Sequence, residues 1–307
     1  MTVEPLPRSQ LRSGLAWGLL AAVIWSAYSV LARQAVKSGL SPSDLTLLRF
    51  LPGGLLLALW LWRRGPRDLG GLGWRRGLVL AMLAGPGFSL LLMGGFVYAP
   101  LAHGVVIAPA CQMLTSLALG SWLAHQRWTR ESAIGAALVT LGLVFVGGDG
   151  LLHPGDGLTP LGDLMFFAAG ASWGLFGALS RRWQVDPMQV TAVVAVLSLL
   201  LFAPPYLVFA DLDRLRSAAP GLLIVQLLAQ GFGAGLIALL AYSRAAALLG
   251  SGRAGFFGAV VPAAASLLAI PVLGEVPGPL QVAGIVAVVA GLGVAFGAAR
   301  LLLRRAR

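Results

Sequence analysis

Ala22-Val-Ile-Trp25-Ser-Ala-Tyr-Ser29-Val-Leu-Ala32-Arg33 and Gly170-Ala-Ser-Trp173-Gly-Leu-Phe-Gly177-Ala-Leu-Ser180-Arg181, 148 residues further on, are one pattern written twice. The doubling continues outward from this pair. Gly87-Phe88 and Tyr98 recur as Gly231-Phe232 and Tyr242 at an offset of 144, and Gly135 and Gly142 recur as Gly284 and Gly291 at 149. Matches in sequence order at a nearly constant offset, with only loop length varying, mark two halves divided near Asp149 to Thr159. We place the halves at residues 14–148 and 161–298.

Each half is built for lipid. The chain is 58% hydrophobic and only 11% charged, with a mean hydropathy of +0.86, outside the range of water-soluble domains. A bilayer core of about 30 Å needs about 20 apolar residues per helix. Ten segments meet that length, at 14–33, 44–62, 77–97, 102–123, 132–148, 161–180, 188–209, 220–242, 254–273 and 279–298. They run apolar without the alternation of a membrane β-barrel, and leave no room for a soluble domain. The first is too long for a signal-peptide core and has no small-residue cleavage pattern after it. The expected fold is an all-α membrane protein with ten transmembrane helices, five in each half. Five is odd, so the second half enters from the opposite side and the repeats are inverted.

The net charge of +11 follows topology rather than nucleic acid. With the N-terminus inside, Arg33, Lys37, Arg214 and Arg216 are the only four basic residues outside, Arg49 lies within a helix, and the remaining seventeen of 22 lie inside. That asymmetry places both termini in the cytoplasm. The densest group, Arg63 to Arg76, suits anionic lipid headgroups. The single cysteine, Cys111, excludes an intrachain disulfide and a cysteine metal cluster. The expected partners are the lipid bilayer and a small-molecule substrate, without nucleic acid, metal or cofactor.

Pro271-Val-Leu-Gly274-Glu275-Val-Pro-Gly-Pro-Leu-Gln-Val-Ala-Gly284, within a five-plus-five repeat, resembles the EamA-type branch of the drug/metabolite transporter superfamily. The resemblance spans residues 14 to 298. Gly274-Glu275 followed by Gly284 matches the family's Gly-Glu at the end of the fourth helix of a half. The first half departs from it, with His125-Gln126 there and Gly135 retained. Arg49-Phe50 is similar to a recurrent feature of the family's first half. The resemblance implies that the first four helices of each half surround a cavity, with the fifth and tenth packed peripherally. It further implies movement of small organic metabolites, often amino acids and frequently outward; fold alone does not supply the substrate.

Candidate lining residues follow from spacing. Ala22, Trp25, Ser29 and Ala32 share one helical face, as do Gly170, Trp173, Gly177 and Ser180; they line a paired cavity or pack helices closely. Gln112, and Gln226 with Gln230 at i, i+4, are amides deep in the membrane, suited to a zwitterionic ligand or to interhelical hydrogen bonds. The substrate-binding expectation is Trp25, Ser29, Gln112, Trp173, Gln226, Gln230 and Tyr242, with Tyr98, Glu275 and Gly284 gating or structural. His103 reads as interfacial. Arg49 reads as snorkelling outward or pairing with a ligand carboxylate. The Gly135/Gly142 and Gly284/Gly291 grooves fit a contact within the chain, hence a monomer, or a homodimer seam.

Asp163 and Glu275 fall near helix ends, so no carboxylate stands at mid-depth to carry a proton. Facilitated diffusion and antiport both remain open. An intramembrane enzyme needs a dyad or metal cluster; His103 and Ser116, thirteen residues apart on one helix, are separated by about 20 Å. The expectation is therefore a carrier without catalytic residues, in the cell inner membrane, exporting amino acids or another small metabolite or drug by alternating access.

Overall fold

The structure is a computed structural model and describes residues 8–124, 129–152, 157–249 and 251–295. His125 and Gln126, the first-half counterpart of Gly274-Glu275, lie outside the described residues. The first half runs α1 (Arg8–Lys37), α2 (Pro42–Arg64), α3 (Trp74–Ala84), α4 (Pro86–Tyr98), α5 (Leu101–Ala124) and α6 (Arg130–Leu152). The second runs α7 (Thr159–Arg182), α8 (Pro187–Phe209), a short α9 (Leu212–Ser217), α10 (Pro220–Gln226), a π-helical stretch (Leu227–Ile237), α11 (Ala238–Leu249), α12 (Ser251–Leu273) and α13 (Pro279–Ala295). Among the described residues, eight helical stretches are long and apolar enough to cross a membrane. The ninth and tenth expected segments appear as shorter apolar stretches, Phe257–Leu273 and Pro279–Ala295.

Local chemistry sets the boundaries. Ser41 caps α2, its hydroxyl accepting from the Asp44 N–H while the Asp44 carboxylate accepts from the Ser41 N–H, and Pro42 stands where no N–H is needed. Asp186 caps α8 in the same way, accepting from the N–H groups of Met188 and Gln189. Gly274 ends α12 at φ +67°, a left-handed conformation that glycine adopts without cost. Leu55, Leu56, Leu59 and Trp62 on α2 and Leu200, Leu207, Val208 and Phe209 on α8 are exposed, the surface of a helix that faces lipid.

The packing maps onto itself when the halves are exchanged. α1 lies against α11 and α12; its counterpart α7 lies against α4 and α5. α2 lies against the π-helical stretch, and its counterpart α8 against α3. Two bundles result, each drawing helices from both halves: α1, α2, the π-stretch with α11, and α12 form one; α7, α8, α3 with α4, and α5 form the other. α6 and α13 pair separately.

The α6–α13 pair shows the symmetry at atomic level. A Cβ on Gly142 would lie 2.7 Å from the Gly284 carbonyl oxygen, and one on Gly284 2.9 Å from that of Gly142. Gly135 and Gly291 repeat the relation, at 2.7 Å each way. Repeat counterparts are Gly135 with Gly284 and Gly142 with Gly291, yet the contacts are crossed and reciprocal. Crossed contacts between antiparallel helices require a two-fold axis perpendicular to them, the relation that inverted repeats produce. The glycine grooves are thus used against each other within the chain, where small residues let the two backbones touch.

Candidate functional site

Both halves break their third crossing at the same place. α3 ends at Ala84 and α4 restarts at Pro86, whose ring removes the N–H that would continue the helix. Gly85 between them has no space for a side chain, since a Cβ would strike the Ala81 carbonyl and the Ser198 hydroxyl. Ser172 of α7 donates to the Leu83 carbonyl at 2.6 Å, satisfying a backbone group beside the break. At the offset of 144, Gly85-Pro86 corresponds to Ala229-Gln230, inside the π-helical stretch. There Gly231 admits Pro52 and the Leu48 carbonyl of α2 in the same manner. Paired interruptions at mid-crossing are where inverted-repeat carriers place their sites, and π-helical turns mark functional segments.

Around these breaks the side chains form one aromatic ring system across the two bundles. Arg49 of α2 donates to the Tyr28 hydroxyl of α1 at 2.6 Å. Its guanidinium lies 5.3 Å from the centre of the Tyr28 ring, 6.0 Å from Phe50 and 5.7 Å from Phe88, the last on α4 of the opposite bundle. Phe88 meets Trp173 of α7 at 4.6 Å, and Trp173 meets Phe176 at 5.3 Å. Arg49 therefore points inward over rings instead of snorkelling to the lipid edge. Among the described residues no carboxylate pairs with it.

The other expected lining residues divide. Trp25 packs on Tyr242 of α11 at 5.5 Å, and Ser29 returns its hydroxyl to the Trp25 carbonyl at 3.0 Å, so these three form a group on one bundle. Gln226 donates to the Leu31 carbonyl of α1 at 2.9 Å, and Gln230 donates to the Gln226 side-chain oxygen at 3.2 Å, so the first amide ties helices together. The Gln230 side-chain oxygen is fully buried and has no hydrogen-bond partner among the described residues. Gln112 is exposed on α5 and makes no hydrogen bond to the described residues. Tyr98, at the end of α4, is exposed and, among the described residues, has no ring contact matching that of Tyr242 with Trp25. Gly284 lies in the α6–α13 seam.

At the end of the bundle where α1 finishes, the two bundles are linked by polar contacts that sequence reading did not foresee. Glu275, in the α12–α13 loop, accepts from Arg33 Nε at 2.9 Å, Lys37 Nζ at 3.2 Å and the Leu101 N–H of α5 at 2.8 Å. Arg33 also donates to the Phe96 carbonyl of α4. Burial works to raise the Glu275 carboxyl, but the Leu101 N–H, the Arg33 charge and hydrogen bond, and the Lys37 hydrogen bond outweigh it and hold the group below its ordinary value. Tyr206 of α8 donates to buried Asp44 of α2 at 2.6 Å, and Thr46 of α2 to Ser89 of α4 at 3.0 Å. His103, near the start of α5 and 1% exposed, shares a 2.7 Å hydrogen bond with Asp163 of α7, and its other ring nitrogen faces Gln281 of α13 at 3.3 Å. Ser116 donates to the Gly174 carbonyl at 3.4 Å, so it forms no dyad with His103. Two sequence signals pointed here, the repeated arginine, Arg33 with Arg181, and the expectation of a gating or structural role for Glu275.

Comparison with known proteins agrees with this geometry. Among solved structures, a chain described only as "Crystal structure of protein" superposes with a TM-score of 0.62 at 23% identity, covering 95% of this chain and 99% of that one, a likeness of fold. No curated protein matches the sequence. The profile of the EamA-like transporter family matches residues 12–148 and again 160–297. Two copies of one family unit, spanning nearly the whole chain and meeting across crossed glycine seams, establish that the chain belongs to the EamA-like transporter family, a family of membrane transporters.

Proposed function

We propose that this EamA-family transporter is an alternating-access carrier exporting small carboxylate-bearing metabolites, with aromatic or other neutral amino acids as the leading class. In this reading all ten apolar helices cross the cell inner membrane, both termini are cytoplasmic, and the Arg33 end faces outward. The carrying observation is Arg49. A guanidinium within a crossing helix, turned toward aromatic rings and lacking a carboxylate partner among the described residues, is costly to hold in the membrane without a counter-charge. A ligand carboxylate supplies one, in the planar two-point geometry that arginine favours. Phe88 and Trp173 offer apolar walls beside it. Because Arg49 and Tyr28 belong to one bundle and Phe88 and Trp173 to the other, relative motion of the bundles closes the site toward one face while opening it to the other.

Counterflow in proteoliposomes tests this. Vesicles holding the purified chain are loaded with an unlabelled panel of amino acids, monocarboxylates and amines, and entry of the labelled counterparts is followed. Saturable counterflow restricted to carboxylate-bearing compounds is expected. Counterflow of amines alone, or none for any carboxylate, refutes the proposal.

A further inference from the structure

Away from the aromatic ring system, the Arg33 end contains a cleft of roughly 310 Å³ lined by Arg33, Pro100, Ala102, Ser266, Glu275 and Gln281 among others. Its walls come from both bundles: α1, α12 and the α12–α13 loop on one side, Pro100 and Ala102 at the start of α5 on the other. That volume is at the small end of ligand pockets, suited to one small metabolite. The wall carries both signs of charge, with the Arg33 and Glu275 side chains 15% and 19% exposed. Ser266, 4% exposed, lines this cleft, and its hydroxyl oxygen has no hydrogen-bond partner among the described residues. A buried hydroxyl left unpaired costs free energy that a ligand can recover.

We propose that this cleft is a second binding site, for the zwitterionic head of a free amino acid. It rests on the carrier reading for its place in the cycle, though its chemistry is independent of Arg49. The ligand carboxylate takes Arg33, the ammonium takes Glu275 and the Ser266 hydroxyl oxygen, and the Gln281 amide adds a neutral contact. A simple anion meets repulsion from Glu275, and a simple cation meets it from Arg33 and Lys37; only a ligand carrying both charges gains at both walls. Because Arg33 and Glu275 also bond across to the other bundle, through the Phe96 carbonyl and the Leu101 N–H, a zwitterion exchanging partners with them occupies the point through which substrate passes at this end. The cleft is then an exit or entry station in line with the central site.

The test is equilibrium binding of labelled L-phenylalanine to the purified full chain, taken to saturation. Two sites per chain are expected. S266L fills the cleft and leaves one site; S266A leaves two but weakens one about tenfold, the usual cost of one hydrogen bond to a charged group. R49Q removes the other site and leaves the cleft. In the R49Q chain, phenethylamine and 3-phenylpropionate, each lacking one charge, compete at least tenfold less well than phenylalanine. A single site abolished by R49Q, two sites indifferent to S266L, or single-charge analogues that compete equally would overturn the inference, as would absence of binding to the wild-type chain. The carrier reading fails separately, on loss of carboxylate counterflow in the wild-type chain.

Discussion

Glu275→Gln isolates the contact that joins the bundles at the Arg33 end, because it keeps the side chain's shape and removes its charge. The carboxylate accepts from Arg33 Nε at 2.9 Å, Lys37 Nζ at 3.2 Å and the Leu101 N–H at 2.8 Å. Hydrogen bonds to charged groups contribute about 1.5–3 kcal/mol each by mutation, but Lys37 is 44% exposed and its share falls toward zero through screening. The amide oxygen of glutamine still serves the Leu101 N–H. Arg33 and Glu275 both stand on the α1 side, so what weakens across the bundles is the Leu101 hydrogen bond, which passes from a charged to a neutral acceptor at a cost of about 1–1.5 kcal/mol and shifts the ratio of parted to joined bundles by roughly five- to twelvefold. Ala269 lines the cleft behind this contact and is 2% exposed, so a cysteine there reacts only when the bundles part. Cys111, the chain's single native thiol, is replaced by alanine as background. When reclosure is faster than modification, the labelling rate of A269C follows the open population. The rate should rise about fivefold or more in E275Q and also in R33Q, which removes the Phe96 contact, and by less than the product in the double variant, since Arg33 and Glu275 hold each other in place. Equal rates in the parent and both single variants refute the assignment of this contact as a latch.

The same thiol reads pH. The Glu275 carboxyl is held below its ordinary value in the joined state, so its contribution is intact above about 4.3 and is lost as pH falls through the depressed value; labelling of A269C, corrected against an exposed thiol, should stay level from about pH 8 to 5 and climb only in stronger acid. At the central site, R49K keeps the charge but not the planar fork and should raise the counterflow half-saturation about tenfold, with R49Q raising it further; values unchanged in both would remove Arg49 from the ligand site. In the α6–α13 seam, Gly142→Leu drives a side chain against the Gly284 carbonyl, 2.7 Å from the new Cβ, and overpacking of this kind costs about 1–3 kcal/mol. Its melting temperature in detergent should fall, while Gly147→Ala, which meets nothing within 4 Å, should leave it unchanged.

Much of this architecture was readable before any coordinates, because it rests on periodicities that sequence displays directly. Hydropathy located the helices, and the offsets of 148, 144 and 149 defined the halves. The seven-residue glycine spacing marked the seam, although choosing between a partner in the chain and one in another copy needed the crossed Gly142–Gly284 and Gly135–Gly291 contacts. The break at Gly85-Pro86 falls inside a segment read as one span, 77–97, and its π-helical counterpart, Leu227 to Ile237, contains no proline. Side-chain partners were the least legible. Arg33 and Glu275 are separated by 242 positions, and Tyr206 and Asp44 by 162. His103 was legible as a residue near a helix end, but not as one that α7 buries by bringing Asp163 against it. Arg49 was ambiguous for a related reason: its distance from the helix end permits snorkelling, and only the rings of Tyr28, Phe50 and Phe88 turn it inward.

The two halves also differ in charge at the latch. At the repeat offsets, Arg33 corresponds to Arg181 and Glu275 to Gln126, so the arginine is kept in both halves and the carboxylate in one. In a carrier with perfect inverted symmetry the two closed states are equal in free energy, since exchange of the halves converts one into the other. A carboxylate that only one half places at this position, accepting from the Leu101 N–H of the opposite bundle, breaks this equality and favours the state joined at Arg33, by an amount bounded by the worth of that contact. Such a bias cannot drive net movement, because a difference between conformations cancels over a full cycle and only gradients supply direction. It does set apparent affinity: the disfavoured state must be populated before substrate can enter from the Arg33 end, and the dissociation constant seen from that side rises in proportion. A carrier that meets its substrate mainly at the other face loses little by this, and keeps the Arg33 face closed at rest.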